Sequence, residues 1–334
     1  MQAERIFIVV KRTKWERDRV RYGSARTARK IYSRQSNAQH NAYERVFQAH
    51  ERQIRNLESL RNALPDARYV QREELPYLEN GDYDLLISFG GDNHFVHVSH
   101  YLSSNRAILG LNSDPESSTG ALLYFKPAEF FKKIPELLDS PPPTGAAQKN
   151  QQKESHKDAL KNPSMQMEAW TRIGCDIETP EGQRKKLSPC VSEVTVRSTF
   201  HDYVSRYMIH KGEDAQGGQQ KWEEHKNSGL LLACGAGSTG WYRNCQPLSQ
   251  QAKAAFPKDA NYFRTVAREV GSRARRKFEY IQTTVEENEV LSVVSEMDGE
   301  ITVDADPERV FPFPPGSVAK FRLSGERLNV VRSI

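Results

Sequence analysis

Three short apolar runs decide what the first part of this chain can become. Residues 6–10 read Ile-Phe-Ile-Val-Val, residues 83–89 read Tyr-Asp-Leu-Leu-Ile-Ser-Phe, and residues 107–112 read Ala-Ile-Leu-Gly-Leu-Asn. They alternate too little for half-exposed strands, so they read as strands buried on both faces. Helical segments separate them. Residues 42–63 carry Val46, Phe47, Ile54, Leu57 and Leu60 as an apolar stripe, and a second helix is expected over 95–102. Strand, helix, strand, helix, strand is the order of a parallel α/β domain. The basic stretch after the first strand begins Lys11, Arg12, Lys14, Arg17, Arg19 and Arg21, interleaved with Trp15, Glu16, Asp18 and Tyr22. That mixture suits a solvated surface segment.

The pattern changes after Lys126. Residues 140–164, with a Pro-Pro-Pro run, several Gln and scattered Lys, read as a loop or flexible insertion. Strand-like segments then follow at 165–177, 190–197, 203–210, 230–234, 289–304 and 318–332, with helical composition at 247–258. The second half is β-rich and carries no internal repeat. The expected organisation is an α/β domain over 1–126, a β-rich domain over 127–304 with the insertion near 140–164, and C-terminal strands over 305–334.

A chain of 334 residues fits about two domains, each able to bury a core without a disulfide or metal staple. Hydrophobic residues at 37% and charged residues at 27% exclude a largely disordered chain. No apolar run approaches the roughly 20 residues that span a bilayer. The first five residues lead straight into the first strand, without a signal or transit pattern, so a cytoplasmic location is expected. The net charge of +5 permits an anionic small molecule without requiring nucleic acid. Neither nucleic acid nor membrane is therefore an expected partner. Cys175, Cys190, Cys234 and Cys245 have no C-x-x-C spacing, so they read as buried, reduced thiols.

Gly90, Gly91, Asp92 and Asn93 follow the second buried strand, where open α/β sheets bind ligands. Paired glycines let a ligand approach the backbone, and a following helix N-terminus favours phosphate. A carboxylate at Asp92 can act there as general base toward a hydroxyl, or position a metal. The plainer reading is a strand-to-helix turn with Asp92 as N-cap. Residues 235–240, Gly-Ala-Gly-Ser-Thr-Gly, match the G-x-G-x-x-G dinucleotide pattern but follow a β-rich region. Trp241, Tyr242, Arg243 and Asn244 add contacts suited to a nucleoside. Asn112, Ser113, Asp114 and Pro115 form a polar turn at the end of the third strand, a ligand position or an Asx-turn. His94, His97 and His100 fall on one side of a helix, as metal ligands or as packing histidines. Arg273, Arg275, Arg276 and Lys277 suit a nucleotide phosphate or a solvated helix end equally.

Taken in order, these motifs resemble the NAD kinase family. The family runs from a Gly-Gly-Asp-Gly motif through an Asn turn, an Asn-Glu pair and a Gly-Ser-Thr segment to a late Asp-Gly. The matching residues here are Gly90, Gly91, Asp92 and Asn93; Asn112; Ser192 and Glu193; Gly237, Ser238 and Thr239; and Asp298 with Gly299. The likeness is greatest to the branch containing the mitochondrial enzymes of animals, through the turn Asn112 to Pro115, Ser228 to Leu230, Arg21 with Tyr22, and Ser59 to Asn62. It covers most of the chain and is weakest at 140–164 and 245–285.

The resemblance implies an N-terminal α/β domain joined to a β-rich domain, with the final strands returning toward the first. It implies transfer of the γ-phosphoryl of ATP to the 2′-hydroxyl of the adenosine ribose of NAD(H), with a divalent cation, magnesium by preference. Asp92 is then the base. Gly90 and Gly91 cradle phosphate, and Asn112, Glu193, Ser238, Thr239 and Asn244 hold the dinucleotide. Asn93, Asp114, Ser192, Gly237 and Asp298 complete the expected binding set, and no side chain is assigned as a dedicated metal ligand. A homodimer or larger homo-oligomer is the expected assembly.

The chain departs from the family where Asn93 replaces a glycine, Ser192 an asparagine, and Gly240 with Trp241 an Ala-Tyr or Ala-Trp pair. A left-handed backbone at Asn93 is the expectation, with valine there harmful and glycine tolerated. Alternative readings are a non-catalytic dinucleotide-binding regulator, a lipid or diacylglycerol-type kinase, and an NAD-dependent oxidoreductase read from residues 235–240.

Overall fold

The computed structural model describes residues 1–77, 83–102, 106–141, 165–212, 221–245, 254–271 and 277–333. The chain runs β1 (Ile6–Val10), α1 (Lys14–Arg21), α2 (Ala25–Arg34), α3 (Ala42–Ala63), β2 (Arg68–Gln71), β3 (Leu85–Gly90), α4 (Asp92–Ser99), β4 (Ala107–Asn112), α5 (Pro127–Asp139) and β5 (Met165–Trp170). It continues with β6 (Ile173–Glu178), β7 (Arg184–Lys186), β8 (Glu193–Ser198), β9 (Ser205–Gly212), β10 (Glu223–Asn227), β11 (Leu230–Ala233), α6 (Trp241–Asn244) and β12 (Tyr262–Ala267). The last strands are β13 (Gln282–Glu286), β14 (Val290–Ser295), β15 (Gly299–Val303), β16 (Val310–Phe313), β17 (Val318–Leu323) and β18 (Leu328–Ser333). Contacts divide the chain into two units, Met1–Glu168 with Asn329–Ile334, and Ala169–Leu328.

The first unit is built on a six-stranded sheet of order β2-β1-β3-β4-β18-β5. β1 is parallel to β2 and β3, β3 to β4, and β4 to β18. β1, β3 and β4 are buried at every residue, as their unbroken apolar runs require. The basic segment after β1 is not a plain surface strip. It forms α1 and α2, capped by Thr13 and Ser24, whose side chains accept from the amides of Glu16 and Thr27. Trp15, Ala28 and Tyr32 bury against Ala42 and Val46 of α3, while Leu57 and Leu60 at the other end of α3 pack on the sheet. Most of the charges face solvent, Asp18 being buried against Lys14 and Tyr32, but three apolar residues among them suffice to dock two helices.

The domain boundary differs from the one read at residue 126. Phe130, Ile134 and Leu137 lie at helical spacing on α5 and bury into the first unit's core together with Met165. The first unit therefore runs on to Glu168. Of the strands in 305–334, β18 joins the first sheet, whereas β16 and β17 remain in sheets of the second unit. The insertion read at 140–164 lies outside the described residues from 142 onward. So do residues 247–253 of the expected helix at 247–258, and residues 254–258 are not helical. Arg273, Arg275 and Arg276 also fall outside the described residues.

The second unit is a sandwich of two six-stranded sheets, β10-β9-β14-β17-β6-β7 and β13-β12-β11-β8-β15-β16. Its strand pairs are antiparallel, and strands such as β14 and β15 alternate buried and half-buried residues, as a sheet with one inner face must. Val194, Val196, Leu230 and Leu232 of one sheet meet Tyr207, Ile209, Leu291 and Phe321 of the other. β10 is the strand hardest to see in sequence, because its buried positions are Glu223, His225 and Asn227. Each has a partner. Glu223 accepts from the amides of Glu279 and Tyr280, His225 Nε2 meets Glu223, and Asn227 Nδ2 donates to the Tyr207 hydroxyl. Paired in this way, buried polar groups are tolerated.

Candidate active site

Within the first unit, a cleft of about 780 Å³ opens at the C-terminal ends of β1, β3 and β4. It is lined by Gly90, Gly91, Asp92, Asn93, Asn112 and Asp114, and by the cations Lys11, Lys14, Arg45 and Arg52. Strand ends in open α/β sheets are where a ligand crevice can form. Gly90 must be glycine. A Cβ there would come within 2.5 Å of the His94 ring, which is held by a 3.0 Å contact from Nε2 to the Val9 carbonyl.

Gly91, not Asp92, is the N-cap of α4, and it makes no side-chain cap. Asp92 is the first helical residue. Its Oδ2 accepts from Ala121 N at 3.0 Å and its Oδ1 from Leu122 N at 2.9 Å. These two bonds to the 121–122 backbone aim it rigidly. Among the described residues Asp92 has no ion-pair partner.

Asn93 is the second residue of α4 and is exposed. It is not among the residues with positive φ, which outside glycine are, among the described residues, Glu269, Asp304 and Ala305. The left-handed turn expected at Asn93 is thus replaced by ordinary right-handed helix. The Asp92 carboxylate bonds to the 121–122 backbone instead of closing its own turn, so the chain passes from strand into helix without a left-handed residue.

Asn112 and Asp114 organise the neighbouring turn. Asn112 Oδ1 accepts from Asp114 N at 3.1 Å, and its Nδ2 donates to Ser118 O at 2.9 Å. Asp114 takes a bidentate pair from Arg52 of α3, at 2.8 Å from Nε and 3.1 Å from Nη2. Burial pushes the Asp114 carboxyl up, but the Arg52 hydrogen bonds outweigh it and hold the group below its ordinary value. The histidines do not converge as a trio. His94 is buried and held neutral, its pKa driven down to about 3 by desolvation, and His97 Nδ1 contacts Arg72 Nη2 at 2.9 Å.

The second unit gathers the later motifs around Glu193. Val191, Ser192 and Glu193 all donate backbone amides to the Asp304 carboxylate, at 2.9, 2.6 and 3.1 Å. Asp304 and Ala305 both have positive φ, a tight turn ordinarily given to glycine or asparagine. Gly237 packs against the same strand end, where a Cβ would lie 2.2 Å from Ser192 O. Ser238 is buried, donating to Gly235 O at 2.7 Å and accepting from Phe256 N at 3.3 Å, whereas Thr239 is exposed. Asn244 Nδ2 reaches Gly240 O at 3.3 Å.

Burial and then the charge of Asp304 push the Glu193 carboxyl up to about 7, against the amides of Trp241 and Tyr242, which favour its anion. Glu193 Oε2 is buried and makes no hydrogen bond.

Asp298 stands apart from this cluster. Gly299 pairs with Ser198 at one end of β8 and Val303 with Val194 at the other, so Asp298 lies roughly 20 Å along the strand from Glu193. The acidic residue beside Glu193 is Asp304, which the Asp-Gly pattern missed because alanine follows it. Lys11 and Arg52 were also missed. Lys11 was legible, since it directly follows a buried parallel strand. Arg52 has no local signal, because it reaches Asp114 from another element.

No protein-family model matches the chain. The fold is that of NAD kinases, with an N-terminal α/β part and a β-rich part. It aligns with an NAD kinase from Archaeoglobus fulgidus, solved in complex with ATP, at a TM-score of 0.56 and 13% identity, over 97% of this chain and 92% of that one. It aligns with yeast NADH kinase, solved with NADH, at a TM-score of 0.59 and 10% identity, over 99% and 84%.

In sequence the chain is similar to mitochondrial NAD kinase 2. It is 24% identical to the Homo sapiens protein over 74% of this chain and 59% of that protein. It is 23% identical to the Rattus norvegicus protein over 74% and 61%. The chain thus spans about three fifths of the length of these relatives. The resemblance drawn from the ordered motifs holds. The cytoplasmic expectation does not, because the curated relatives are mitochondrial by name. No described helix is long and apolar enough to cross a membrane.

Proposed function

We propose that the chain is an NAD kinase, transferring the γ-phosphoryl of ATP to the 2′-hydroxyl of the adenosine ribose of NAD(H) to give NADP(H). The observation that carries this reading is Asp92. It is a carboxylate without an ion-pair partner among the described residues, fixed by two backbone amides in a cleft otherwise rich in cations. In a kinase it accepts the proton of the 2′-hydroxyl as the new O–P bond forms and the bond to the departing ADP oxygen breaks. Most of the rate then comes from positioning and from charge neutralisation around the phosphates.

The other residues follow from their surroundings. Gly90 and Gly91 leave the backbone open to phosphate. Asn112 and Asp114, whose polar atoms are engaged with the turn and with Arg52, act by shaping the wall of the cleft. In the second unit, the carboxyl of half-buried Glu193 and exposed Thr239 are polar contacts for the dinucleotide, and Gly237 and Ser238 hold the strand end in place. Relatives solved with ATP and with NADH support the two substrate classes.

The cleft also fits a magnesium ion brought with the nucleotide. Magnesium takes hard oxygen ligands, few of them from protein. Because Arg52 pairs with both Asp114 and Glu116, Asp92 is the carboxylate left for it. When bound, the ion neutralises phosphate charge.

The test is NADP formation by the purified chain with ATP and NAD or NADH, with magnesium and with chelator. Asp92→Asn should lower turnover by about 10²–10⁴-fold while dinucleotide binding changes little. Dinucleotide binding without turnover by the wild-type chain would instead mark a regulator. Phosphorylation of diacylglycerol would mark a lipid kinase.

A further inference from the structure

We infer that Lys11 is a phosphate-binding residue of the cleft, placing its ammonium on the phosphoryl group that Asp92 helps to transfer. The inference rests on the kinase reading for the identity of that group, but the geometry is independent of it. Lys11 follows β1 directly, and its amide donates to Phe89 O at 3.1 Å, which ties the end of β1 to the end of β3 just ahead of Gly90 and Gly91. The side chain then lies over the glycine turn, with Nζ 4.0 Å from the point a Gly91 Cβ would occupy. The missing side chain at Gly91 leaves open the space between the ammonium and the backbone.

The other cations of the cleft wall behave differently. Lys14 is committed to Asp18 at 2.5 Å and Arg52 to Asp114 at 2.8 Å, while Arg45 is exposed to solvent. Lys11 has no hydrogen bond or ion pair from its ammonium among the described residues. It is half-buried, and burial, with Arg17 and Arg72 nearby, pulls its pKa down, opposed by the charge of Asp92. A desolvated cation beside like charges destabilises the empty protein. It is compensated when an anion enters, and the anion that must sit beside Asp92 during reaction is the transferring phosphoryl group. Its equatorial oxygens carry the charge that Lys11 would neutralise.

Two variants of the full chain test this, Lys11→Met, which keeps the length and removes the charge, and Lys11→Arg, which keeps the charge. The first probe is inorganic tripolyphosphate, measured by calorimetry, because it needs no kinase activity. Lys11→Met should weaken its binding about tenfold or more, and Lys11→Arg should retain most of it. In the kinase assay, Lys11→Met should lower kcat with ATP while the KM for NAD stays near wild type.

Thermal melting separates this role from a structural one. Removing an uncompensated cation should leave the Tm of the empty protein unchanged or higher. Unchanged tripolyphosphate binding in Lys11→Met overturns the proposal, as does a lowered Tm accompanied by equal losses in every kinetic constant. Absence of NADP formation by the wild-type chain would defeat the kinase reading while leaving the tripolyphosphate result to judge Lys11. If Lys11→Met does not fold, Lys11→Gln is measured in the same way.

Discussion

Glu193→Gln offers a pH-resolved test of the second-unit cluster. Burial and the nearby Asp304 raise the Glu193 pKa from 4.5 to about 7. The folded chain therefore holds a proton at Glu193 that the unfolded chain has released. The stabilisation from that proton is complete below the unfolded value of 4.5 and is lost as pH rises through about 7. A rise of about 2.5 units at about 1.4 kcal/mol per unit makes the loss about 3 kcal/mol. Glutamine resembles the protonated acid and can still accept from the Trp241 and Tyr242 amides. Near pH 5 the variant should therefore match wild type, to within about 0.5 kcal/mol. Near pH 8 it should be the more stable by up to about 3 kcal/mol, which raises Tm by roughly 6–12 °C for a unit of this size. Urea and thermal melts of the full chain near both pH values measure the difference. Dinucleotide binding should weaken at the higher pH, where the lost anion is the better acceptor. A stability change of equal size and sign at both pH values would refute the reasoning, because a packing defect does not titrate.

Three further substitutions probe the same physics. Asp304→Asn removes the charge that gathers three backbone amides, so it should destabilise by about 2–3 kcal/mol in urea melts and bring the Glu193 titration down toward its ordinary range. Gly237→Ala drives a Cβ to 2.2 Å from Ser192 O, so about 3 kcal/mol or more of stability should go, together with dinucleotide binding measured by calorimetry. Asn93→Val and Asn93→Gly should each stay within about 1 kcal/mol of wild type in thermal melts, because Asn93 is exposed in right-handed helix. A collapse with valine alone would restore the left-handed turn that the structure replaces.

What could be read from sequence was whatever a short window contains. β1 and β4, buried on both faces, declare themselves by unbroken apolar runs, and α3 by its 3.6-residue stripe. Gly90, Gly91 and Asp92 could be located because a parallel sheet puts its ligand crevice at strand ends, and the residue after an apolar run is the strand end. α1 and α2 were hidden because Trp15, Ala28 and Tyr32 are sparse among charges. Their burial depends on α3, which lies outside any window that contains them. β10 was hidden for the opposite reason. Its buried positions are Glu223, His225 and Asn227, whose partners at Tyr207, Glu279 and Tyr280 come from other elements.

Asp304 shows the limit most clearly. The Asp-Gly pattern looks for an acidic residue followed by glycine, and glycine is favoured in such a turn because it adopts positive φ at little cost. Here two consecutive residues, Asp304 and Ala305, take that conformation without a glycine. Strained backbone of this kind persists where the surroundings hold it in place. In this chain three amides, from Val191, Ser192 and Glu193, converge on the Asp304 carboxylate. The turn is thus stabilised by the strand end that it positions, and that strand end carries Glu193, whose own pKa is raised in part by the same Asp304. Position, strain and charge at this site form one coupled arrangement, spread over residues more than a hundred apart in sequence. A pattern of adjacent residues selected Asp298, an aspartate followed by glycine at the far end of the same strand pair. The register of β8 against β15 is what places Asp304, rather than Asp298, beside Glu193.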